Sequence, residues 1–252
     1  MPSPRPRSNA WNAACLDELT FHRGLFRPGT VLDIGAHDGL LTVPLAALPG
    51  ARVVAFEPLP TAMARLRHAV SGLDVVLHPC ALGAVEGRIS LEVPSVGGVM
   101  QEQWASIAKD YAAIQRDDDR VERITRHDVP LRRLDGFAFR DITAIKLDVE
   151  GAEEEVIRGG AETIRACRPA MTVEIEERHR RGSTRDVPSL LADLGLAGFF
   201  WLDGWRPVAE FDAARMQVAS PSPAEFSASD PYVFIFCFVP PERIPEMFAL
   251  GG

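Results

Sequence analysis

Two stretches of this 252-residue chain carry acids two positions apart where an apolar run gives out. "AIKLDVEGAEEEVIRGG" (residues 144–160) sets Lys146, Asp148 and Glu150 at i, i+2 and i+4. In an extended chain that spacing projects side chains to one face. "PAMTVEIE" (169–176) repeats it with Glu174 and Glu176, and His179 follows. Carboxylates and an imidazole so placed can take a proton from a hydroxyl. Asp148, at the end of its run, is the first candidate for a catalytic base or metal ligand. Glu174 is a candidate for lining the same pocket, and His179 is an alternative base. Asp148 and Glu174 alone are a thin ligand set for a divalent ion, so no metal is assigned. Plainer roles compete. Glu150 and Glu153 stand where a helix should begin, and acids are favoured at that end of the dipole. His179 belongs to the basic run "RHRRG" (178–182), which reads as a solvated loop. Lys146 reads as the partner of a buried carboxylate, because an unpaired buried ammonium is costly.

A second constellation lies upstream. "VLDIGAHDG" puts Asp33 inside a strand and Gly35 and Gly39 in the turn after it, with Ala36, His37 and Asp38 between them. Glycine lets the backbone bend there and lets a ligand approach closely. The spacing G-x-x-x-G is not the dinucleotide fingerprint G-x-G-x-x-G, which disfavours a nicotinamide-dependent dehydrogenase. Asp33 and Asp38 would repel a pyrophosphate but suit a ligand bearing an ammonium and a sulfonium. "VVAFEP" ends a second strand with Glu57 and Pro58, and an acid there can accept both hydroxyls of a ribose. The third strand ends in "HPCALG", where Cys80 and Ala81 fall near an adenine edge.

These residues need a scaffold, and the chain offers an alternation of strand and helix. "TVLDIGA", "ARVVAFEP" and "DVVLHPCAL" read as strands, with helices over 40–50 and 60–72 between them. That order predicts a parallel, doubly wound sheet. "GRISLEVP" (87–94) reads as an extra strand. Residues 95–128 break the rhythm and read as an insertion. Trp104, Ile107, Tyr111 and Ile114 recur there at helical spacing, which suggests an amphipathic helix able to cover an acceptor. Strands over 141–149 and 169–176 resume the pattern, with a helix between them broken at Gly159–Gly160 and another over 187–196. "FFWLDGWRPV" and "DPYVFIFCFVP" close the sheet. The expected organisation is a flexible tail over residues 1–20 and one domain over 21–252.

Bulk properties narrow the partners. Hydrophobic residues make up 46% of the chain, enough for a large core, and the net charge of −8 argues against nucleic acid. The longest apolar segment, "YVFIFCFV", is too short to span a bilayer as a helix, so no membrane insertion is expected. None of the four cysteines has C-x-x-C spacing, and the first ten residues lack the apolar run of a signal peptide. A reducing, cytoplasmic setting fits.

Together "VLDIGAHDG", "VVAFEPLP", "ALGAVEG", "RRLD", "IKLDVEGAEEEVIRGG" and "RPAMTVEIE" resemble the FkbM family of S-adenosylmethionine-dependent methyltransferases over about residues 30 to 176. The resemblance implies a class I methyltransferase fold, a Rossmann-like seven-stranded sheet whose last strand is antiparallel. It implies S-adenosyl-L-methionine as cofactor. It also implies methyl transfer to a hydroxyl of a sugar or natural-product small molecule. By the same resemblance, the loop around Gly35 would hold the methionine part of the cofactor and Glu57 the ribose, with Asp148 beside the pocket. Where the family often has Asn in this loop, the chain has His37 and Asp38. The alternative is a non-catalytic cofactor-binding scaffold subunit. Nothing in the sequence sets the acceptor or the oligomeric state.

Overall fold

A computed structural model describes residues 18–102, 105–106, 121–218 and 232–251. The chain opens with helix α1 (Glu18–Gly24), then alternates β1 (Gly29–Ile34), α2 (Thr42–Ala46), β2 (Ala51–Phe56), α3 (Pro60–Ala69) and β3 (Val75–His78). Short β4 (Ala81–Leu82) leads into β5 (Gly87–Val96), β6 (Val99–Met100) and β7 (Val121–Arg132). The alternation resumes with β8 (Ile142–Leu147), α4 (Glu153–Gly159), α5 (Ala161–Cys167), β9 (Ala170–Glu174) and α6 (Ser183–Asp193). β10 (Ala197–Trp201), β11 (Trp205–Pro207), α7 (Ala213–Met216), β12 (Ile235–Val239) and α8 (Ile244–Phe248) complete it.

The large sheet runs β11-β10-β12-β9-β8-β1-β2-β3. β9, β8, β1, β2 and β3 are parallel, and β12 is antiparallel to both of its neighbours. This is the expected doubly wound sheet, and it holds eight strands rather than seven. The extra strand arises because "FFWLDGWRPV" is a hairpin, not one strand. Leu202 N–H donates to Gly204 O, and Trp201 registers against Trp205 across the turn. Strand order reverses at β1, between β2 and β8, so a crevice forms beyond the carboxyl ends of β1 and β8.

Both faces of the sheet are packed, which is why the central strands read as unbroken apolar runs. Leu32, Ile34, Ile145 and Leu147 meet Val156 and Ile157 of α4 and Val187 and Leu191 of α6 in one buried cluster. Ala55, Met63, Leu66 and Val70 form another under α3. The expected break at Gly159–Gly160 separates α4 from α5. A side chain at Gly159 would strike Gly83 O at 1.9 Å.

Two expectations need correction. First, residues 121–128 are not part of a helical insertion: β7 pairs antiparallel with β5 along its length, in a second sheet ordered β4-β7-β5-β6. Arg126–Glu92 and Arg88–Asp128 ion pairs tie the two strands together. Charged residues crowd β7 because much of it faces solvent, so its alternation is masked. Trp104, Ile107, Tyr111 and Ile114 lie outside the described residues. Second, α1 starts at Glu18, inside the expected tail, and is anchored where Thr172 donates to Glu18 Oε1 at 2.8 Å. No described helix is long and apolar enough to cross a membrane.

Candidate active site

At the end of β1 the chain turns through Gly35 at φ +77°, and Gly35 and Ala36 both donate to Phe56 O. A Cβ on Gly35 would stand 1.8 Å from Asp148 O. The glycine therefore lets the ends of β1 and β8 come together. His37 follows at φ +50°, which directs its N–H to Glu57 Oε2 at 2.9 Å. Leu59 N–H donates to Glu57 Oε1 at 2.8 Å. The Glu57 carboxylate is thus fixed by backbone on both oxygens while its remaining lone pairs stay available. Burial pushes its pKa up to about 7, against those two donated hydrogen bonds.

Glu57 lines an open cleft at the ends of β1, β2 and β8. Gly35, His37, Pro58, Cys80, Ala81 and Asp148, all candidates from the sequence, line it too. Burial pushes the Cys80 thiol up to about 11, so it presents a neutral, weakly polar surface. Four expected cofactor residues are not part of the lining. Ala36 packs into the α3 cluster, and Gly39 abuts Leu66. Asp38 is half exposed beside His37. Asp33 is buried, with Thr42 donating to Oδ2 at 2.6 Å; its Oδ1 has no hydrogen-bond partner among the described residues. Leu91, Glu102, Ala105 and Ser106 form a further part of the wall. Ser106 bridges to Glu92 of β5 and donates to Glu150 O at 2.8 Å, docking this segment on the β8–α4 turn. Nothing in its residue types signalled that role.

Lys146 lies beneath the cleft with its ammonium donating to Gly35 O at 2.7 Å. Asp148 Oδ2 is 3.5 Å from it and Asp33 Oδ1 3.6 Å. Burial works against the ammonium, but Asp148, Asp33, Glu18 and Glu174 outweigh it and hold its pKa above the ordinary lysine value. The balancing role read from sequence is the observed one. α1 brings further buried groups here: His22 bonds Thr172 at 2.9 Å, and burial pulls its pKa down to about 4.

The carboxylates after β8 divide in an unexpected way. Glu153 does the capping, accepting from Val149 and Gly151 N–H, and its burial raises it to about 7. Glu150 sits before the helix at φ +58° and turns its carboxylate to His179 Nε2, 3.1 Å away. His179 is not an exposed loop residue: its side chain is 3% exposed and also lies 3.3 Å from Glu176. The basic run is not simply solvated either. Arg178 clasps Glu176 through two hydrogen bonds, Tyr232 donates to the same carboxylate, and Arg180 pairs with Glu154. Burial, then the charges of Asp148, Glu150 and Glu176, hold Glu174 well above the usual carboxylate range.

Comparison with known proteins settles the family. A model of the methyltransferase FkbM domain matches residues 33–197. The chain belongs to the FkbM methyltransferase family. Among relatives, 2-O-methyltransferase NoeI of Sinorhizobium fredii is 33% identical over 150 residues, covering 55% of this chain and 60% of that protein. Methyltransferase 1 of Beauveria bassiana is 26% identical over 166 residues, covering 58% and 62%. This FkbM chain thus matches less than two thirds of either relative's length. The crystal structure of methyltransferase FkbM from Methylobacillus flagellatus covers 90% of this chain and shares its fold at a TM-score of 0.55 and 15% identity, through 49% of its own length.

Proposed function

We propose that this FkbM-family chain transfers the methyl group of S-adenosylmethionine to a hydroxyl oxygen of a sugar or natural-product small molecule. The observation that carries the reading is Glu57: a buried carboxylate, fixed on both oxygens, in the wall of an open cleft at the carboxyl ends of the parallel strands. The surrounding groups fit the same cofactor. Cys80, Ala81 and Leu82 offer an apolar wall for an adenine. The NoeI relative, named a 2-O-methyltransferase, supports oxygen as the acceptor atom.

S-adenosylmethionine would supply an electrophilic methyl: the acceptor oxygen bonds to that carbon while the carbon–sulfur bond breaks and its electron pair stays on sulfur. The chain's task is alignment and proton removal. Asp148 lines the cleft and takes the hydroxyl proton, with Lys146 at 3.5 Å holding the carboxylate in place. Asp148→Asn should lower kcat about 100-fold or more, the usual range for losing a positioned base, and change S-adenosylhomocysteine affinity far less. Single-turnover transfer of labelled methyl to a panel of hydroxylated acceptors checks this. Full turnover by the variant would remove Asp148 from the chemistry.

Glu57 predicts a pH signature. Only its ionised form can serve both backbone donors and both ribose hydroxyls. Ligand binding therefore draws the group from a pKa of about 7 toward the carboxylate and releases a proton. Affinity for S-adenosylhomocysteine should level off above about pH 7 and weaken about tenfold per unit below it. Calorimetry in buffers of different ionisation enthalpy should detect proton release at about pH 6 and none at about pH 8. Glu57→Gln should abolish the pH dependence and weaken binding about 100-fold, the equivalent of two charge-assisted hydrogen bonds.

A further inference from the structure

We propose that Glu150, Glu174 and His179 form a binding site for one divalent transition cation at the acceptor end of the cleft. A carboxylate oxygen from each glutamate and one ring nitrogen of His179 all lie within 4.8 Å of one another. A cation with bonds of about 2.0–2.2 Å keeps its ligand atoms about 3 to 4.4 Å apart, so small side-chain adjustments close the set. The three residues come from separate elements: the β8–α4 turn, the end of β9 and the loop after it. None is an exposed surface acid, since Glu150 and Glu174 are half-buried and His179 is buried. The charge balance has the right sign. Arg178 neutralises Glu176 and Arg180 neutralises Glu154, while Glu174 remains crowded by Asp148 and Glu150.

One nitrogen with two carboxylates favours Mn2+, Co2+ or Zn2+ over Mg2+ or Ca2+, which prefer oxygen alone. Three protein ligands leave positions open for substrate, as in catalytic rather than structural sites. Of the three ligands Glu150 lines the cleft, together with Asp148, so the cation would sit behind that wall and reach an acceptor hydroxyl from there. It would polarise that hydroxyl, and the proton would pass to Asp148 while the oxygen takes the methyl. The role assigned to the cation rests on the methyltransferase reading; the ligand set does not.

The test is an electron paramagnetic resonance titration of the full chain with Mn2+, alongside calorimetry with S-adenosylhomocysteine. One saturable Mn2+ site per chain is expected. Glu174→Gln and His179→Gln should each weaken it at least tenfold while S-adenosylhomocysteine binding persists, which also reports that the variants are folded. If either variant fails to fold, Glu150→Gln should give the same loss. Absence of a saturable site in the unsubstituted chain, or unchanged Mn2+ affinity in the folded variants, overturns the proposal. Failure of the methyltransferase reading would appear separately, as no S-adenosylhomocysteine binding whatever Mn2+ does.

Discussion

Replacing Gly35 with alanine should unfold the protein or cost more than about 4 kcal/mol, the range reserved for severe steric or burial defects. The added Cβ would lie 1.8 Å from Asp148 O and 2.9 Å from its carbonyl carbon, both backbone atoms that cannot swing aside. The residue also sits at φ +77°, strained for any L side chain. Relief requires β1 and β8 to part, and that breaks the Asp148 N–H to Ile34 O bond and the Gly35 and Ala36 bonds to Phe56 O. Gly72→Ala is the control. Gly72 has φ +82°, but nothing lies within 4 Å of its Cβ position, so only backbone strain remains, about 1 kcal/mol. Urea denaturation of the two variants separates the contributions. Near-equal losses would mean that the approach of β1 to β8 is looser than the structure has it.

Lys146→Met should cost about 3–5 kcal/mol, the penalty for breaking a buried ion pair from one side. Methionine fills the space but leaves Asp33, 1% exposed, without its cation, and Asp148 loses the charge that holds it. Gly35 O loses its donor as well, which loosens the turn that carries His37 and, through it, Glu57. The variant should therefore lose S-adenosylhomocysteine affinity as well as stability, although Lys146 does not line the cleft. Denaturation midpoints and ligand titration on the same preparation check both. A variant as stable as the parent would show that the carboxylates here are solvated rather than dependent on Lys146.

The parts of this protein legible in its sequence are those governed by local rules. Strands buried on both faces read as apolar runs, so β1, β2, β8 and β9 stood out, and the glycine turn and Glu57 followed from where such strands end. Asp148 and Lys146 were legible because a strand's alternation places them on one face. The division between Glu150 and Glu153 was not, because it depends on Glu150 adopting φ +58°. Seen as sequence, Glu150 is simply an acid before a helix. The β5–β7 sheet was hidden for a related reason. Its partners lie on either side of residues 97–120, and the charged side chains that pair across it look like loop composition. The burial of His179 was not legible from its arginine neighbours, because the charges of Arg178 and Arg180 turn inward to Glu176 and Glu154. The contribution of α1 depends on contacts across more than a hundred residues, which no local pattern carries.

Titration calorimetry with S-adenosylhomocysteine tests the central claim most directly. The account predicts one site per chain, affinity that rises with pH until Glu57 is ionised, and binding about 100-fold weaker and independent of pH in Glu57→Gln. No binding by the unsubstituted chain to either S-adenosylhomocysteine or S-adenosylmethionine would contradict it.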